Sequence, residues 1–236
     1  MRSAAALRLP VRRLVPTLLI IPLLALLLWL GTWQVHRAEE KRLQTAAFES
    51  GGLVATSLPI EPARYARVRL EGHYLPDQQV LLDNMTHAGR VGFRVLTPLA
   101  TTSGATVLVD RGWVPLGVSR AQLPDVAVAA GPRVVVGRLD EFPRAGIDAP
   151  PGAGSGWPRV LNYPAPATLE HALGLPLYPE LVLLDAAATD GYLRDWQPTG
   201  LTYERHLGYA VQWYALAATL AVLYGVVALR KRGVLK

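Results

Sequence analysis

The chain has 236 residues, 51% of them hydrophobic, with 24 basic side chains, 18 acidic ones and no cysteine. That length leaves room for one modest globular domain beside any membrane segments, and the lack of cysteine excludes disulfides, thiolate catalysis and cysteine-ligated metal. The net charge of +6 is unevenly placed. All acidic residues lie between Glu39 and Glu204, and the positive excess sits at Arg2, Arg8, Arg12 and Arg13 and again at Arg230, Lys231, Arg232 and Lys236. Such end-loaded charge reports membrane topology, not a nucleic-acid-binding surface.

After the basic start, residues 1–13, the uncharged run Leu14–Val35 predicts a transmembrane helix over 14–35. A cleaved signal peptide is the rival reading. The run is longer than such a segment needs, and no A-x-A cleavage site follows it. Pro22 predicts a kink, and Trp29 and Trp33, one turn apart, mark the far interface. Good helix formers continue from Gln34 to Phe48, which prolongs the helix beyond the membrane until Gly51-Gly52 stops it.

Residues 36–204 form the expected extracytoplasmic domain. Arg67–Glu71 alternates polar and apolar, and Gln79–Leu82, Val91–Leu99, Thr106–Val114 and Arg133–Leu139 are further strand-like runs punctuated by Gly, Pro, Asn or Asp. Short strands at this spacing predict an antiparallel sandwich or small barrel. Pro150–Trp157 reads as a glycine-rich loop, Thr168–Leu173 as a short helix and Leu181–Leu184 as one more strand. A second transmembrane helix is predicted over 205–229, with the basic tail 230–236 behind it. The fold class is therefore a membrane protein with two transmembrane α-helices flanking a mostly antiparallel β extracytoplasmic domain (α+β). Basic flanks place both ends in the cytoplasm and the centre outside. No Arg-rich, Ser-rich transit peptide is visible, which favours a bacterial inner membrane with a periplasmic domain.

Few constellations carry chemistry. Ser155 lies in no G-x-S-x-G elbow and no phosphate loop, and His36, His73, His87, His171 and His206 show no metal-ligand spacing. Asp110-Arg111 at a strand end reads as a solvated turn or a structural ion pair. His206 stands apart at the mouth of the second span, and Tyr209, Ala210 and Trp213 share its helix face. It is either an interfacial histidine or an axial ligand to a haem, and His36 lies at the same depth on the first helix. Trp33 and Arg37, one turn apart, read either as an interfacial anchor or as a contact for a haem propionate.

Three stretches together carry a family likeness. Gly31-Thr-Trp33-Gln34-Val-His-Arg37-Ala-Glu-Glu-Lys41, Val109-Asp-Arg111-Gly112-Trp113-Val-Pro115 and His206-Leu-Gly-Tyr209-Ala-Val-Gln212-Trp213-Tyr214 resemble the G-x-W-Q-x-x-R-x-x-x-K, N-R-G-W-V-P and H-L-x-Y-A-x-Q-W-F motifs of the Surfeit locus family of cytochrome oxidase assembly proteins. Asp110 and Tyr214 depart from these patterns, and residues 120–175 match none of them. The resemblance implies a non-enzymatic assembly factor for haem–copper oxidase that receives or presents haem a for subunit I. His206 would be the iron ligand, and haem a synthase and membrane lipid would be further partners. A scaffold that stabilises an assembly intermediate without haem is the alternative, and a membrane-anchored enzyme a remote third class.

Overall fold

The computed structural model describes residues 11–50, 52–120, 122–143 and 156–231. Residues 1–10, Gly51, positions 150–155 of the expected glycine-rich loop and the tail 232–236 lie outside the described residues. In chain order the elements are α1 (Val11–Ser50), β1 (Arg67–Tyr74), β2 (Val80–His87), β3 (Arg90–Thr101), β4 (Thr106–Pro115), β5 (Pro132–Asp140), β6 (Arg159–Leu161), α2 (Pro166–Leu173), β7 (Leu181–Leu184) and α3 (Tyr203–Lys231). They divide into two compact units. Met1–Ala46 and Pro198–Lys236 form one, and Ala47–Gln197 the other.

Two helices, which make up most of the first unit, are long and apolar enough to cross a bilayer, Leu18–Ser50 with mean hydropathy 2.1 and Tyr203–Arg230 with 1.6. Only 6% and 11% of their most apolar windows are buried by protein, so their side chains face outward as lipid-exposed helices do. Pro22 lies within α1, which continues through it as one element to Ser50. Thr202 starts α3: its hydroxyl accepts from the Arg205 N–H, its carbonyl from the His206 N–H, and Glu204 adds a carboxylate to the first turn.

α1 and α3 run antiparallel. The shielded positions of α1 include Leu24, Leu27, Gly31, Gln34, Ala38 and Lys41, and those of α3 include His206, Ala210, Trp213, Ala217 and Leu220. Both sets step by three and four residues, the period of a coiled-coil seam. Gly31 brings the helices together, since a methyl group there would come within 2.7 Å of the Tyr214 ring. Beside it the Thr32 hydroxyl lies 3.0 Å from the Tyr214 hydroxyl.

The second unit is a seven-stranded sheet in the order β1-β5-β7-β4-β3-β2-β6. Its ends meet: Gly72–Tyr74 of β1 also pair with Leu99–Thr101 of β3, closing a five-membered ring β1–β5–β7–β4–β3. Of the sandwich and the small barrel expected from the strand spacing, the barrel is the one that forms. Most pairings are antiparallel, but β4–β7 and β2–β6 are parallel, which makes the sheet mixed. Every ring strand contributes to the barrel's inner cluster through Val68, Leu70, Tyr74, Leu99, Val107, Val109, Val135, Leu139, Val182 and Leu184.

The opposite face is covered as well. Leu108, Leu181 and Leu183 pack with Leu169 and Leu173 of α2. β7 is thus buried on both sides, which explains why Leu181–Leu184 is apolar without alternation. Truncating any of these leucines to alanine removes about 2–5 kcal/mol of stability.

Candidate functional site

The two outer sequence motifs meet on the helix pair. His206 is 7% exposed, and its Nδ1 lies 2.7 Å from Oε1 of Gln34. One turn deeper in the pair, Gly31 and Thr32 face Tyr214. Two turns the other way along α1, Lys41 Nζ donates to the Thr199 carbonyl at 2.7 Å and to Gln44 Oε1 at 2.9 Å. Gly31, Gln34 and Lys41 of the first motif therefore hold Tyr214, His206 and the lead-in to α3.

The remaining candidates are distributed unevenly around this contact. Trp213 is half-buried on the same stripe as His206 and Ala210, while Tyr209 flanks that stripe at 42% exposed. Trp33 is 43% exposed, and Arg37 pairs with Glu40 at 2.5 Å on an open face of α1. His36 is exposed and two residues from Gln34, about 200° around the helix. α1 thus turns His36 away from the contact that holds His206, so the two imidazoles do not share one face of the pair.

Among the described residues His206 Nε2 makes no hydrogen bond, and no group of three or more His, Asp or Glu side chains could hold a metal ion. The donor set at the helix boundary is a single oriented imidazole. A bare zinc or copper ion needs more protein ligands than that. A haem iron brings four nitrogen ligands of its own and needs only an axial one, so the residues present fit that group.

The central motif is structural. Asp110 is fully buried and ion-pairs with Arg94, while its Oδ1 accepts from the Gly112 N–H at 3.0 Å. Arg111 points to the other face, 3% exposed, where it donates to Gln79 Oε1 and to the carbonyls of Val126 and Asp190. Its guanidinium also lies 5.0 Å from the Tyr192 ring. Trp113 donates its ring N–H to the Met85 carbonyl at 2.9 Å and bridges by its backbone to Leu193. The solvated-turn reading of Asp110-Arg111 is therefore replaced by two separate buried anchors. The expected pairing of Asp110 with Arg111 is not formed either, because Asp110 takes Arg94 as its partner and Arg111 bonds to Gln79 and to main-chain carbonyls.

A cleft of about 840 Å³ opens at the end of β1 that is paired with both β5 and β3, lined by Glu71, His73, Tyr74, Thr101, Thr102 and Arg133 among others. Burial pushes the Tyr74 phenol well above its usual range, with Asp190 adding to the shift. Arg133 is already engaged by Asp190 and the Ala129 carbonyl.

The SURF1 family profile matches residues 21–218. A SURF1-like protein of Monosiga brevicollis is 29% identical over 226 residues, covering 86% of this chain and 83% of that protein. A SURF1-like protein of Rickettsia bellii is 26% identical over 216 residues, covering 85% and 86% respectively. The cytochrome oxidase assembly protein SHY1 of Saccharomyces cerevisiae is 31% identical over 96 residues, covering 36% of this chain and 24% of that protein. The match takes in most of α1, the seven strands of the sheet and the first half of α3, and by it the chain belongs to the SURF1 family.

Proposed function

We propose that this protein is a non-enzymatic assembly factor for haem–copper (cytochrome c) oxidase, in which His206 receives haem a at the outer face of the membrane for insertion into subunit I. The observation that carries the reading is the His206–Gln34 contact, in a chain whose family includes a protein named for cytochrome oxidase assembly. His206 would hold the iron, Trp213 would offer the macrocycle an apolar flank and Arg37 a cation for a propionate. Haem a, when bound, supplies the redox-active iron centre that the oxidase subunit requires. Haem a synthase is the proposed donor, and the surrounding lipid completes the setting. Both termini of the chain lie on the cytoplasmic side of a bacterial inner membrane, by the basic clusters that flank the spans, and the barrel lies in the periplasm.

A second reading is a scaffold that stabilises an oxidase assembly intermediate without haem. It is favoured by the near-complete burial of His206, which packing within the helix pair alone accounts for. Protein purified after co-expression with the haem a pathway separates the two. The first reading expects a haem spectrum that His206→Ala abolishes while the folded protein stays in the membrane. A colourless wild-type protein leaves the scaffold, whereas an unaltered haem spectrum in the variant puts the iron ligand on a residue other than His206.

A further inference from the structure

We infer that Gln34 is a positioning residue that fixes the tautomer of His206, so that Nε2 is the atom left to ligate iron. The inference deepens the haem reading above and rests on it. A neutral imidazole carries its proton on one nitrogen, and the partner of the other decides which. A glutamine amide can serve either tautomer, because it has both a carbonyl and an NH₂. Here the carbonyl oxygen faces the ring, 2.7 Å from Nδ1, so Nδ1 is the donor and the lone pair lies on Nε2. Metal-bound histidines are commonly held in this way by an acceptor on their other nitrogen.

Several contacts make the arrangement stiff. His206 is 93% shielded and sits in the first turn of α3, which Thr202 anchors. Gln34 is half-buried on the seam of α1, where Gly31 and Lys41 fix the depth of one helix against the other. Gln34 and His206 are 172 residues apart in the chain, so this hydrogen bond also records the register of the two helices. Two roles are thus conceivable for it, orienting the ring and merely holding the helices. They separate by chemistry. Orientation needs an acceptor at position 34, whereas holding the helices needs only some bond between them.

The test uses the full-length protein, with 15N-labelled histidine and with haem. In the haem-free wild type, the ring 15N shifts of His206, assigned by comparison with His206→Ala, are expected to show the proton on Nδ1. Gln34→Glu, an acceptor only, should keep that tautomer and bind haem as the parent does. Gln34→Lys, a donor only, should move the proton to Nε2. Gln34→Leu should weaken haem binding about 10–100-fold, the usual effect of removing such an orienting group. Thr32→Val removes the inter-helix hydrogen bond to Tyr214 and should leave haem binding and the tautomer unchanged. A proton found on Nε2 in the wild type overturns the inference. So does Gln34→Leu binding haem as the parent does, or Thr32→Val matching its loss, and in both cases the haem reading still stands. If the wild type takes up no haem, or His206→Ala retains it, the haem reading itself falls and the inference with it.

Discussion

At the scale of single residues, the described domain contains a carboxylate in an unfavourable place. Glu180 precedes β7, and its Oε2 is buried without a hydrogen-bond partner among the described residues. Burial first, and then the charges of Glu141 and Asp140, push its carboxyl above the usual glutamate range. The folded protein therefore holds a proton at Glu180 more readily than the unfolded chain does, and stability falls as pH rises through the window above the ordinary value of 4.5. Glu180→Gln should melt at a higher temperature than the parent at pH 7, with the gap closing as the pH is lowered towards 4. A gap that is constant with pH would mean that Glu180 titrates as an ordinary carboxyl. Asp110 shows what local sequence does not reveal. Its neighbour Arg111 suggests a pair, but adjacent residues in a strand point to opposite faces, and the partner proved to be Arg94 on the next strand.

At the scale of elements, the barrel depends on one close approach. Gly72 lets β1, still paired with β5 on one edge, reach β3 on the other, where a Cβ would run into the Ala100 carbonyl. Gly72→Val should cost about 1–3 kcal/mol by overpacking. For a protein of this size that lowers the melting temperature by about 2–4 °C per kcal/mol, measurable by circular dichroism in detergent. An unchanged melting temperature would show the β1–β3 closure to be dispensable. Most strands were legible because β-branched and aliphatic runs such as Thr106–Val114 stand between clear turn signals. Arg159–Leu161 was not, because its three residues follow Gly156, Trp157 and Pro158 and become a strand only by lying parallel to β2. The closure itself left no periodic trace, since it requires only that position 72 lack a side chain. On α1 and α3 the helical period identified the face that holds His206, but the depth at which Gln34 meets it depends on Gly31 and on residues 172 positions apart.

At the scale of the whole molecule, two outward-facing apolar helices with basic flanks predict that the chain crosses the membrane twice. Reporter fusions after Leu139 and at Lys236 should register on opposite sides of the bilayer. Signals from the same side would remove one of the two spans. The order of the strands bears on how such a chain is made. β7 is the last strand in sequence, yet it lies between β4 and β5, two strands completed long before it. Until Leu184 has been synthesised, β4 and β5 each present an unpaired edge, and such edges invite pairing with other chains. The ring also waits on contacts distant in sequence, which slows its formation. A ribosome that stops anywhere before Leu184 therefore releases an open sheet rather than a shorter barrel, already anchored by α1 and in need of protection until the four residues Leu181–Leu184 arrive.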